Sequence, residues 1–155
     1  MASLKLGNKA PNIKGPCTGN KNVNLNDLKG NNIVLYFYPK DATPGCTTQG
    51  QDFRDLYKSF LKANTEIYGI SRESIASHEK FKTAQSFPFD LISDTDEKIC
   101  NTYDVIKEKS MYGKKYMGIE RSTFLIDKNG KLRQEWRKVK VKGHVKEVLE
   151  SVQKL

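Results

Sequence analysis

Between Tyr38 and Thr48 the chain reads YPKDATPGCTT, and this segment holds the residues best suited to chemistry. It follows the apolar run IVLYFY, Ile33 to Tyr38, and precedes an amphipathic stretch. It therefore lies at the carboxyl end of a strand, where α/β proteins place their sites. Pro44 and Gly45 suit a helix entry, Pro being favoured in the first turn. Cys46 then falls in or near that turn, where backbone N–H groups lack partners and the helix dipole favours an anion. Both effects favour the thiolate, the nucleophilic form, whereas an ordinary thiol is only a few per cent ionised at neutral pH. A thiolate alone attacks many electrophiles. Selectivity for a peroxide needs donors that hold both oxygens and stabilise charge on the leaving one. Thr43, three residues upstream, carries a hydroxyl that can accept from a peroxide and donate to a thiolate. Plainer roles also fit: a small buried hydrophobe for Cys46, a capping or turn residue for Thr43.

The remaining soft ligands and nucleophiles are scattered. Cys17, Cys46 and Cys100 are far apart, with no C-x-x-C pair, and His78 and His144 stand near none of them. The spacing excludes an ordinary zinc site, so no metal and no cofactor are expected. An odd number of cysteines also speaks against a disulfide framework. The first residues, MASLKLGNKAPN, hold no apolar run of signal-peptide length, and no later segment reaches the ~18 apolar residues of a membrane span. A cytoplasmic protein without membrane attachment is expected.

The formal charge is +9, which raises the question of nucleic acid. The lysines are spread from Lys5 to Lys154, however, and the densest stretch, Arg137 to Lys142 (RKVKVK), alternates basic with apolar residues. That is the period of a half-buried strand with a solvated face, so no nucleic-acid partner is expected.

Around the site the elements alternate. Ile33–Tyr38 reads as a strand buried on both faces. Phe53, Leu56, Tyr57, Phe60 and Leu61 form one apolar stripe of a helix that starts near Cys46. Thr65 to Ile70 is a second strand, Ser74 to Ser86 a helix, and Phe89 to Ile92 a short strand. Asp94 with Glu97 resembles a helix-start signal for a short helix through Ile99 and Tyr103. Ser122 to Asp127 is a strand, Lys128-Asn129-Gly130 a hairpin turn, and Lys131 to Arg137 its antiparallel partner. Val145, Val148, Leu149 and Val152 mark a closing helix. The order predicts one α/β domain over residues 1–155, a mixed β-sheet flanked by helices on both faces.

Pro39-x-x-x-Thr43-x-x-Cys46 is similar to the peroxiredoxin signature Pro-x-x-x-Thr/Ser-x-x-Cys. The wider string FYPKDATPGCTTQGQDFRD resembles the branch called peroxiredoxin Q, or bacterioferritin-comigratory protein. Two distant segments agree: MYGKKYMGIERSTFLIDKNGK, Met111 to Lys131, and WRKVKVKGHVKEVLE, Trp136 to Glu150. The resemblance covers most of the chain in the right order and implies a thioredoxin-like fold. It also implies a thiol-dependent peroxidase, acting on hydrogen peroxide and organic hydroperoxides in antioxidant defence. Cys46 is then the peroxidatic cysteine, whose thiolate breaks the O–O bond and becomes a sulfenic acid. Thr43 hydrogen-bonds the peroxide, and Pro39 shields the pocket. Arg121, at the start of the STFLID strand, matches the family's arginine, which favours the thiolate and polarises the peroxide. The expected reductant is thioredoxin, glutaredoxin or a low-molecular-weight thiol, and the expected assembly is a monomer or a weak dimer.

The pattern breaks at the resolving cysteine. Many members of the branch place it five positions after the peroxidatic one, where this chain has Gln51; others place it on the next helix, which here has none. Cys17, in a GPCTGN loop, and Cys100, on the short helix, are the thiols that remain, and neither matches a resolving position. Two other functions stay open at this level. A thiol–disulfide oxidoreductase would want a second cysteine near Thr48 or Gln49, and a nucleic-acid module would draw on the charge.

Overall fold

The computed structural model describes residues 4–155; the first three residues of the expected domain lie outside the described residues. Among the described residues nine strands form: β1 (Lys14–Cys17), β2 (Lys21–Asn24), β3 (Asn32–Phe37), β4 (Thr65–Ser71), β5 (Asp90–Ser93), β6 (Ile106–Met111), β7 (Lys114–Ile119), β8 (Ser122–Ile126) and β9 (Leu132–Trp136). The α-helices are α1 (Pro44–Lys62), α2 (Ile75–Gln85), α3 (Lys98–Thr102) and α4 (His144–Gln153), with a 3-10 turn at Leu25–Leu28. Seven strands make a mixed sheet in the order β2-β1-β5-β4-β3-β8-β9, and β6 pairs with β7 as a separate hairpin. The two parallel pairs, β3 with β4 and β4 with β5, are joined through α1 and α2. The other pairings are antiparallel.

β3 is central, and every residue in it is buried. Its side chains alternate between two cores, as a strand's period of two demands. Val34 and Tyr36 point into a layer with Phe53 and Phe60 of α1, Phe81 of α2 and Val148 of α4. Ile33, Leu35 and Phe37 point into the opposite layer with Ile99 and Cys100 of α3, Leu25 and Ile119. Helices thus cover both faces, but unevenly: three long ones on one side, a five-residue helix and irregular chain on the other.

Three local expectations are corrected. Cys17 is the last residue of β1, opposite Ile92 of β5, and not in a loop. Arg137 to Lys142 is not strand. The chain leaves the sheet after Trp136 because Arg137 donates to the carbonyls of Asp104 and Tyr103, at 2.7 and 3.1 Å, and lies over the Phe124 ring. Lys138 follows at φ 49°. Leu61, counted in the apolar stripe of α1, is exposed at 47% while Phe53 and Phe60 are fully buried. The short helix starts at Lys98, later than Asp94, yet Asp94 still caps it, accepting from the N–H groups of Ile99 and Cys100 at 3.1 and 2.7 Å. Glu97 does not reach back to complete a capping box; it binds Arg72. No helix among the described residues is long and apolar enough to cross a membrane.

α1 lies close against the segment leading to β5 because position 50 is glycine. A Cβ there would stand 2.3 Å from the Phe87 ring, which itself stacks on Phe89 at 5.1 Å. Gly50→Ala should therefore destabilise the fold by about 1–3 kcal/mol despite alanine's better helix propensity. Denaturant unfolding should show it, and the penalty should shrink in a Phe87→Leu background.

His144 gives a second expectation. It is buried at the start of α4, its Nε2 2.8 Å from Thr123 Oγ1, and its ring packs edge-on against Trp136. Burial, with Arg121 nearby, pushes its pKa down from 6.5 to about 4. Between those values the unfolded chain binds a proton that the folded chain refuses, so stability rises with pH there and is lost on acidification. The loss should approach about 3 kcal/mol near pH 4. Unfolding measured from pH 7 to 4 should give a shallower slope for His144→Gln, whereas an unchanged slope would remove His144 as the source.

Candidate active site

The chain leaves β3 at Phe37 and reaches α1 at Pro44, so residues 38–43 form the crossing. Tyr38 stays with the sheet, its N–H donating to the Ile70 carbonyl, and Pro39 follows it half-buried. Ala42 takes the left-handed conformation, φ 62°. Thr43 is extended, at the N-cap of α1, and Pro44 opens the helix. Cys46 is therefore the third helical residue, within the turn whose backbone N–H groups have no intrahelical acceptor. This is the placement that Pro44-Gly45 implied.

Arg121 immediately precedes β8, which pairs antiparallel with β3 so that Ser122 stands opposite Phe37. That register sets the arginine beside the end of β3. Its Nη2 donates to Cys46 Sγ at 3.4 Å and its Nη1 to Gln49 Oε1 at 2.6 Å. Gln49 lies one turn after Cys46 on the same buried face and holds the guanidinium in place. A Cβ at Gly45 would lie 3.2 Å from Arg121 Nη2, so glycine here leaves room for the cation. Cys46 itself is only 2% exposed, packed in the α1 layer of the core. A cation and the start of a helix thus converge on one buried sulfur.

Thr43 departs from the expectation. Its hydroxyl donates to the Lys40 carbonyl at 2.8 Å and not to Cys46. The hydrogen closes the crossing loop, and the oxygen lone pairs remain free to accept. Gln49 was missing from the sequence-derived set, although its spacing from Cys46, three residues along a helix, placed it on the same face.

The structure separates the other two thiols from this site. Cys17 and Cys100 lie in the core layer on the far side of the sheet from Cys46, and all three thiols are free and buried. Burial, then the Asp90 carboxylate, raises the Cys17 pKa; burial, then Asp94, pushes that of Cys100 far up. Both are poor nucleophiles where they stand.

The AhpC/TSA family profile matches residues 6–135. The chain is 51% identical to Peroxiredoxin Bcp of Bacillus subtilis over 150 residues, 97% of this chain and 96% of that one. Among solved structures, Xanthomonas campestris bacterioferritin comigratory protein, studied for alkyl peroxide reduction, superposes with a TM-score of 0.90. It is 45% identical and the match covers 97% of this chain and 98% of that one. Xylella fastidiosa PrxQ superposes with a TM-score of 0.92 at 40% identity, over 99% and 98% of the two chains. The contact of an arginine with a helix-start cysteine on a thioredoxin-like sheet thus comes with near-complete likeness to proteins of one kind: the chain belongs to the AhpC/TSA family, and within it to the Bcp/Q peroxiredoxins, thiol-dependent peroxidases.

Proposed function

We propose that Cys46 is the peroxidatic nucleophile, and the Arg121 Nη2 contact at 3.4 Å from its Sγ carries that reading. The thiolate attacks one peroxide oxygen as the O–O bond breaks. Cys46 becomes a sulfenic acid, and the other oxygen leaves as hydroxide or alkoxide and takes up a proton. Arg121 stabilises the thiolate and the charge that grows on the leaving oxygen, with Gln49 fixing its orientation. Thr43 accepts a hydrogen bond from the incoming peroxide, and Pro39 shields the sulfur from water. Hydrogen peroxide and organic hydroperoxides are the substrates, the second class in line with the alkyl peroxide reduction studied in the Xanthomonas relative. Residues 1–155 act as one domain, a monomer or weak dimer in the cytoplasm, and no metal or other cofactor takes part.

Cys46→Ser should abolish turnover, because a hydroxyl is barely ionised at neutral pH. Arg121→Ala and Thr43→Val should each slow peroxide attack by about 10²-fold or more, the scale of losing an oxyanion donor, while Thr43→Ser is mild. A peroxide-consumption assay with dithiothreitol reads all four variants, and full activity of Cys46→Ser would end the mechanism.

The sulfenic acid is resolved by an external thiol. Cys17 and Cys100 pack in the core layer across the sheet from Cys46, so a disulfide to either, which needs Cα atoms within about 7 Å, would require local unwinding around Cys46. The incoming thiolate bonds to Cys46 Sγ and the hydroxyl leaves as water; a second thiol then frees Cys46. Thioredoxin, glutaredoxin or a small thiol can supply both. Intact-mass analysis after one equivalent of peroxide, with a sulfenic-acid trap and no added thiol, should show the adduct on Cys46. A rapid intramolecular disulfide, lost in Cys100→Ser or Cys17→Ser, would overturn this.

A further inference from the structure

Two residues past Pro39, on the way to Cys46, Asp41 is buried to 8% exposure. Its carboxylate accepts three hydrogen bonds: from Tyr38 Oη at 2.6 Å, and from Ser77 Oγ and His78 Nδ1 at 2.7 Å each. Burial works against the charge, but the donations from His78, Tyr38 and Ser77 outweigh it and hold the carboxyl below its ordinary pKa. His78, in the first turns of α2, is fully buried, and its Nε2 faces the Ile92 carbonyl of β5 at 3.0 Å. The ring bridges the Asp41 carboxylate and the Ile92 carbonyl, so a buried hydrogen-bonded pair ties the crossing loop to α2 and, through the ring, to β5. Removing either partner leaves the other's buried polar atoms without their hydrogen bonds.

Cys46 is itself 2% exposed, and this makes two demands on the loop. A peroxide is small and reacts where Arg121, Thr43 and the helix start converge, which requires residues 39–46 to stay in place. A thiol on another protein must bring its sulfur to Cys46 Sγ opposite the departing hydroxyl, which requires those residues to move aside.

We propose that the Asp41–His78 pair is a positioning clamp, holding the loop closed for peroxide attack and so setting how often the oxidised site opens to a protein thiol. The proposal rests on the reading of Cys46 as the peroxidatic nucleophile. Neither residue touches a reacting atom. Both act through the loop, and a clamp of this kind moves the two half-reactions in opposite directions, whereas a general loss of packing slows both.

The test uses Asp41→Asn, which keeps the shape of the side chain, His78→Gln, and the double variant. Single-turnover mixing with hydrogen peroxide reads the oxidation step. Mixing the oxidised protein with reduced thioredoxin, and separately with dithiothreitol, reads the reduction step. Each single variant should slow oxidation by about tenfold, while reduction by thioredoxin quickens several-fold and reduction by dithiothreitol changes less. The double variant should be no slower in oxidation than the worse single one, since the pair acts as a unit. Amide hydrogen exchange should lose protection at residues 39–47 while β4 and β8 keep theirs. Unchanged exchange in the loop, parallel slowing of both half-reactions, or additive effects in the double variant would each overturn the clamp. The exchange readout needs no activity, so it stands apart from a failure of the Cys46 reading, which Cys46→Ser reports.

Discussion

The contact between Arg121 and Cys46 spans 75 residues of sequence and depends on one register of one strand pair. With Ser122 opposite Phe37, the residue before β8 lies beside the residue after β3, and the first turn of α1 stands above that point. A slip of one residue in β8 would turn its side chains to the opposite face and carry the guanidinium away from the sulfur. The register is held by burial on both sides: all five residues of β8 are buried, as are all six of β3. Core packing and site chemistry are thus the same constraint, seen at the middle and at the end of these strands.

The helix that carries Cys46 is fixed by the opposite half of the same core. Tyr36 of β3 stacks on Phe53 at 4.6 Å, and Phe53 lies two turns beyond Cys46 on the same helix face. Gly50, between them, lets Phe87 approach. α1 therefore cannot rotate about its axis without breaking an aromatic stack, and the sulfur's direction is set by side chains up to two turns away. The carbonyl of Arg121 is held as well, accepting from the Val139 N–H at 3.0 Å, so the loop after β9 steadies the cation from behind.

How much of this could be read from the sequence follows from which residues are buried. β3, β4, β8, α1 and α4 each have a well-covered face, and hydrophobic pattern plus turn residues such as Asn129-Gly130 marked them. The missed elements are those where that signal is absent. β1 and β2 have four residues each, with Gly15 and Pro16 among them. In the β6–β7 hairpin most side chains are at least partly exposed, and Tyr112, in the turn at φ 52°, takes a position usually given to Asn or Gly. RKVKVK erred the other way: its alternation imitates a strand, but Arg137 is drawn off by two carbonyls and an aromatic ring. At the site, the local part was legible, because Pro44-Gly45-Cys46 states its own helix start. The long-range part was not: nothing in the types around Arg121 reveals a partner in α1, and only likeness to a family singled it out. Gln49 sat between these cases, visible by helical spacing yet without a reason to be chosen until the guanidinium was in view.

One residue type in three settings shows how far environment decides chemistry here. Cys17 and Cys100 face carboxylates, Asp90 and Asp94, from inside an apolar layer, and both influences disfavour a thiolate. Cys46 is as deeply buried, but its neighbours are a guanidinium and the start of a helix. Burial is common to all three; the sign of the nearest charged side chain is what sets Cys46 apart from the other two. The same reasoning extends to the position where a resolving cysteine is found in much of the branch. Gln51 donates to Gln85 Oε1 at 2.9 Å, and Arg54 donates to the Gln85 carbonyl, also at 2.9 Å, so α1 and the end of α2 are bound together by neutral and cationic donors. The same face of α1 that carries Gln49 toward Arg121 is flanked here by side chains that tie the helix to its neighbour, so both the site contact and the helix pair rest on polar donors of α1 and of Arg121 before β8.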